Sequence, residues 1–178
     1  MQRDEILALA SQWTGLPPDS AEIRALYDEA IFSAHNYGVY YGAPPTTEVL
    51  TLTIPSDGVI FFDKTPIVNV AVKVNGKEIE ILDQGVDWVE VDRRYAGEKA
   101  EVEVTYGTDS IPAPLGMAIV RYIVGAIGQI DRLKSGTTRV SISGESFTYD
   151  SGDPKEEFVK ALEAYRPTLM RYSWIRGR

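Results

Sequence analysis

The strongest constraint on this chain is an alternating run that meets its own turn. Val68, Val70, Val72 and Val74 alternate with Asn69, Ala71 and Lys73, run into Asn75-Gly76, and are answered by Ile79 and Ile81. Alternation with a period of two puts the valines on one face of a strand. Asn-Gly suits a two-residue type I′ turn, because both residues tolerate positive φ. The segment therefore predicts an antiparallel hairpin with one buried face. The surrounding third is also β in character. Glu48 to Ile54 is rich in Thr, Val and Leu, and Val59 to Phe62 is a short apolar run after an Asp57-Gly58 turn. Asp87 to Val91 and Ala100 to Tyr106 make a further candidate pair, joined by Arg93 to Lys99. Val102, Val104 and Tyr106 point one way and Glu101, Glu103 and Thr105 the other, as expected for an antiparallel sheet wet on one side.

Helical spacing dominates on either side. Asp4 to Trp13 carries Ile6, Leu7, Leu9, Ala10 and Trp13 on roughly one face, and Gly15, Pro17 and Pro18 break the chain. Asp19 followed by Glu22 reads as a capping box. Ile23, Leu26, Tyr27, Ala30, Ile31 and Ala34 then recur at helical intervals, with a stop near Asn36 and Gly38. Tyr37, Tyr40 and Tyr41, next to Gly38, Gly42, Pro44 and Pro45, form a loop whose rings either pack over a domain edge or meet another subunit. Pro112 and Pro114 open a long helix to about Leu133, with an apolar stripe of Leu115, Ala118, Ile119, Tyr122, Ile123, Ala126, Ile127 and Ile130. Gly116, Gly125 and Gly128 each weaken that helix by about 1 kcal/mol relative to alanine, which calls for the close approach of another backbone. Arg139 to Ser143 and Ser146 to Tyr149 read as a short strand pair. Asp153-Pro154-Lys155-Glu156 starts a last helix with Phe158, Val159, Leu162 and Tyr165 on its apolar side, stopped by Pro167.

At 178 residues with 44% hydrophobic content, one compact domain is expected. Without cysteine, neither disulfides nor thiolate metal sites can hold the chain together. A formal charge of −8 argues against a general nucleic-acid binder, although an acidic wall would let a polyanion slide past. Ile111 to Ile130 is the most apolar stretch, but its prolines, its glycines and Arg121 make it a core helix, not a membrane span. The opening residues have no apolar signal-peptide core, so cytoplasmic folding is expected.

Catalytic chemistry finds little support. His35 is the sole histidine, at a predicted helix C-terminus where the dipole favours it, and no serine lies in a nucleophile-elbow pattern. Zinc would need several His or Cys ligands, and Asp83, Asp87, Glu90 and Asp92 do not follow calcium-loop spacing, so no metal and no cofactor is expected. A carboxylate-pair hydrolase stays open, since such pairs are assembled in space. The segment from Thr168 to Arg178 differs from the rest. It holds Arg171, Arg176 and Arg178, no acidic residue, and Leu169, Met170, Tyr172, Trp174 and Ile175. Such a terminal segment is either frayed or docked on a partner; disordered segments have few such side chains, and Arg and Trp are enriched where protein surfaces bury each other, which favours docking.

The order of pieces carries a resemblance. Thr65-Pro66-Ile67-Val68-Asn69-Val70 lies in the β region. Val102-Glu103-Val104-Thr105-Tyr106-Gly107 runs into Ile111-Pro112-Ala113-Pro114-Leu115-Gly116-Met117-Ala118. A hairpin, Val140 to Ser143 and Phe147 to Tyr149, precedes a helix ending Ala164-Tyr165-Arg166. From about Asp19 to Arg166 this resembles the head–tail connector (head completion, or adaptor) proteins of long-tailed bacteriophages. The resemblance implies a structural virion protein and no enzyme. The elements read above make it an α+β fold, a helical bundle (residues 1–37 and 111–167) with an inserted antiparallel β-sheet region (46–107) and an extended C-terminal tail (168–178), the large insert and the amino-terminal helix departing from the smallest, mainly helical members. The resemblance also implies a homo-oligomeric ring, commonly a dodecamer, in the virion neck, assembled in the host cytoplasm with no membrane involved. The partners would be the portal protein above and a neck or tail completion protein below, with DNA passing through without sequence-specific binding. By position, Leu169, Met170, Arg171, Tyr172, Trp174, Ile175 and Arg176 would meet the portal. Lys134 and Arg139 are candidates for a basic spot on the DNA channel, or else solvated loop charges. The alternatives are a monomeric binding module using the β region and a small carboxylate-based hydrolase.

Overall fold

Each helix forms where the apolar spacing predicts, and local side chains set its ends. In a computed structural model the backbone is described for residues 1–135, 139–142, 145–148 and 153–165, and side chains for 1–130 and 153–165. Helix α1 spans Arg3–Thr14 and α2 Ala21–Asn36. The Gln2 backbone N–H, unpaired at the start of α1, donates to Glu5 Oε2 at 2.9 Å. The cap of α2 falls one residue later than expected. Ser20 Oγ, not Asp19, accepts from Ile23 N at 3.3 Å. Helix α3, Ala113–Ser135, and α4, Pro154–Glu163, follow the β region. Asp153 caps α4 by accepting from Lys155 N at 3.0 Å, with Pro154 in the first turn where no N–H is needed.

These helices make the first of two compact units, Met1–Ala34 with Ser110–Ala164. Helix α3 is its centre, in contact with both α1 and α4. Two neighbours explain why burial spreads beyond one stripe: Val120 and Val124 are buried along with Leu115, Ile119, Tyr122, Ile123 and Ile127. Ala113–Ile130 is long and apolar enough to cross a membrane by length and composition alone, but here it serves as this unit's core. At Gly116 and Gly125 the close approaches come from side chains of the same chain, where a neighbouring backbone was expected. A Cβ on Gly116 would lie 2.5 Å from Met1 Sδ, and one on Gly125 2.9 Å from Pro154 Cγ. The backbone of Met1 also pairs with Ile111, whose N–H donates to Met1 O at 2.9 Å.

The second unit is His35–Asp109 with Tyr165. Its strands are β1 (Thr46–Thr53), β2 (Val59–Phe61), β3 (Ile67–Val74), β4 (Lys77–Ile79), β5 (Ile81–Gln84), β6 (Trp88–Val91) and β7 (Lys99–Tyr106). The Asn75-Gly76 turn forms as predicted, with φ of 50° and 75°. Strand β7 buries Ala100, Val102, Val104 and Tyr106 and exposes Lys99, Glu101 and Glu103. Two expectations change. The hairpin's return strand ends at Ile79, and Ile81 belongs to a second sheet. The proposed pair Asp87 to Val91 with Ala100 to Tyr106 does not form: β6 pairs with β2 and β5, whereas β7 pairs with β1 and β3. The result is two antiparallel sheets, ordered β1-β7-β3-β4 and β2-β6-β5, whose apolar faces share one core built on Ile60, Phe62, Val72, Val89, Val91, Val102 and Val104. Val68 is also displaced. A register shift between Ile67 and Asn69 puts it outside at 52% exposure, while Val70, Val72 and Val74 face the core. A further pair, β8 (Arg139–Ile142) with β9 (Glu145–Thr148), lies between α3 and α4 in the chain. The protein is thus a mixed α+β fold with antiparallel sheets.

Candidate functional site

A cluster of polar and aromatic groups lies in the second unit, where residues far apart in sequence converge. The loop after α2 is tied down by its backbone. Tyr40 N donates to Thr65 O at 2.7 Å, Thr65 N to Gly38 O at 2.9 Å, and Gly42 N to Thr108 O at 2.7 Å. These bonds hold the Tyr40 ring between two others. It stacks on His35 at 4.8 Å with planes 13° apart, and it meets Tyr106 edge-on at 4.8 Å. Both distances are favourable for ring pairs. Tyr106 carries the line on to Lys64, whose Nζ donates to the Tyr106 hydroxyl at 3.0 Å and to Glu48 Oε2 at 2.5 Å. The same ammonium lies 4.3 Å from the Tyr106 ring centroid, within cation–π range. The chain of contacts His35–Tyr40–Tyr106–Lys64–Glu48 thus joins the end of α2, the Tyr40 loop, β7, the segment before β3, and β1.

The electrostatics are those of a fastener. Burial alone would ease the proton off Lys64, but its bonds to Glu48 and Tyr106 outweigh that and raise its pKa above the ordinary value. A lysine held this firmly charged is neither a base nor a Schiff-base nucleophile at neutral pH. His35 moves the opposite way. Burial lowers its pKa, so at neutral pH it is uncharged and gains nothing from the helix dipole, contrary to the favourable placement expected for it. Its Nε2 is buried and, among the described residues, has no hydrogen-bond partner. No described hydroxyl therefore hands it a proton, as a serine nucleophile would in a triad. Tyr41, next in the chain after Tyr40, has a raised pKa, first through burial and then through Tyr165, with a hydrogen bond to Thr65 opposing.

Among the acidic residues considered for chemistry, Asp83 and Glu90 are register partners across β5 and β6. Asp92 Oδ1 accepts from Arg94 N at 2.9 Å, and its other oxygen lies 3.4 Å from Arg94 Nε. Asp87 is buried at 1% exposure. Among the described residues, no three His, Cys, Asp or Glu side chains gather so that they could hold a metal ion.

The residues expected to meet a portal, Leu169, Met170, Arg171, Tyr172, Trp174, Ile175 and Arg176, lie outside the described residues. Lys134 is in the last turn of α3 and Arg139 opens β8, so the backbone places them on either side of residues 136–138. Sequence reading missed the Glu48–Lys64–Tyr106 cluster because its members are 16 and 42 positions apart and no local pattern links them. Tyr40, by contrast, was visible as part of an aromatic loop, and its ring packs within its own unit. No protein-family model matches the chain, and no curated protein matches it either.

Proposed function

We propose that the chain is a head–tail connector subunit of a long-tailed bacteriophage, in which a helical bundle carries an inserted β region and an extended C-terminal tail. Subunits form a ring beneath the portal, extend the DNA channel and present a surface to the next neck or tail protein. The observation that carries this reading is residues 168–178, where three arginines and five large apolar side chains occur without a single acidic residue in a chain of net charge −8. Such a segment suits burial on another molecule. In this reading Leu169, Met170, Arg171, Tyr172, Trp174, Ile175 and Arg176 anchor to the portal, and Lys134 and Arg139 flank the channel. The acidic average suits a lumen that must release DNA.

An assembly role is also consistent with how the described titratable groups are used. Lys64 and Glu48 fasten the segment before β3 to β1, and Tyr122 is pushed up to about 12 by burial and by its hydrogen bond to Glu29 inside the helical unit. The test is electron microscopy of the purified chain mixed with its portal, with and without residues 168–178. Stacked annuli are expected for the full chain, and a folded but non-docking product for the truncated one. A truncated chain that docks normally refutes the anchor assignment. A full chain that stays monomeric without portal affinity refutes the function.

A further inference from the structure

An exposed sheet edge presents unpaired backbone groups to any passing strand, and proteins ordinarily blunt it with shortness, bulges, proline or lysine. The second unit has two sheets and four edge strands. Three are blunted: β2 and β4 have three residues each, and β5 has four with a register shift between Ile81 and Asp83. Strand β1 has none of these devices. It runs eight residues in unbroken register with β7, contains no proline or lysine, and pairs with nothing on its other side among the described residues.

Burial along β1 is incomplete. Leu50 and Leu52 sit opposite Val102 and Ala100 and share their core face, yet they are only partly buried, whereas Val102 and Ala100 are 0% and 1% exposed. On the outer face Val49 is 59% exposed. An added strand would cover both leucines and saturate the edge.

We propose that β1 is an interface strand and that its occupant is β1 of a second copy of this chain, antiparallel, giving one continuous eight-stranded sheet. Charge singles out this edge for a like-charged partner. Copies carrying −8 each repel, but the one charge on β1, Glu48, is neutralised by Lys64 at 2.5 Å. The acidic residues Glu101 and Glu103 lie one strand back on β7. Pairing through β1 would leave the two β7 rows three strand spacings apart, about 14 Å, beyond the screening length of about 8 Å at physiological ionic strength. Strand periodicity also limits the register. A two-fold pairing that keeps Leu50 and Leu52 on the core face must centre on a residue, Val49 or Leu50, because a one-residue slip would turn one copy inside out. The contact is isologous and closes on itself, so it rests on the sheet edge alone and stands or falls separately from ring formation.

The test is sedimentation equilibrium of the full chain. The wild type is expected to dimerise. Val49→Lys, which places like charges together at the seam from an exposed position, is expected to weaken the dimer by about tenfold or more without altering the circular dichroism spectrum. The chain has no cysteine, so single replacements report directly. Under mild oxidation Val49→Cys or Leu50→Cys is expected to cross-link, according to which residue is central, and Thr53→Cys is not. A wild type that is monomeric throughout, a dimer indifferent to Val49→Lys, or a dimer lost only on removing residues 168–178 overturns the proposal.

Discussion

Replacing His35 with phenylalanine tests the least satisfied polar atom in the described structure. Nε2 is buried and lacks a partner, and burial keeps the ring neutral. A buried unsatisfied polar group costs about 1–3 kcal/mol. Phenylalanine keeps the ring shape and the 4.8 Å stack on Tyr40 while removing that atom, so His35→Phe is expected to stabilise the protein near pH 7.5 by about 1–2 kcal/mol. At this chain length 1 kcal/mol corresponds to roughly 2–4 °C in melting temperature. The pH dependence follows from the direction of the shift. The folded pKa is below the unfolded value of 6.5, so the unfolded chain takes up a proton that the folded chain resists. Stability is present in full above pH 6.5 and is lost as pH falls from there through the lowered folded value. Because His35 is the only histidine, the variant should lose less stability than the wild type between pH 6.5 and about pH 5, above the main carboxylate titration. Urea unfolding of both proteins across this range measures it. A variant that is less stable near neutrality, with a pH profile parallel to the wild type, would refute the reasoning.

Three further substitutions probe the helical unit. The Tyr122 pKa is raised from 10.0 to about 12, so between those values the unfolded chain releases a proton that the folded chain retains, and stability falls as pH rises through that window. Tyr122→Phe should flatten this alkaline slope in a denaturation series, and an unchanged slope would count against a raised Tyr122 pKa in the folded protein. Gly125→Ala and Gly116→Ala each gain about 1 kcal/mol of helix propensity but meet different neighbours. The stiff Pro154 ring at 2.9 Å should impose overpacking of about 1–3 kcal/mol, making Gly125→Ala neutral to destabilising. The movable Met1 tip should leave Gly116→Ala neutral to stabilising. Thermal melts giving the opposite order would show that the two neighbours yield differently from what their chemistry implies.

Local rules carried the reading wherever a few adjacent residues decide the outcome. Asn75-Gly76 makes its turn because both residues accept positive φ, and Asp153-Pro154 starts α4 because a carboxylate and a missing N–H suit a helix N-terminus. The faces of β7 were legible from alternation alone. Tertiary structure decided what alternation cannot encode, namely which strand lies alongside. A period of two specifies a face and leaves the neighbour open, so β6 and β7, adjacent in sequence and similar in pattern, went to different sheets and Ile81 crossed away from Ile79. The same limit hid the Glu48–Lys64–Tyr106 fastener, the bulge that turns Val68 outward and the neutral state of His35. Each depends on groups brought together through space, where burial and close charges set energies that no stretch of sequence contains by itself.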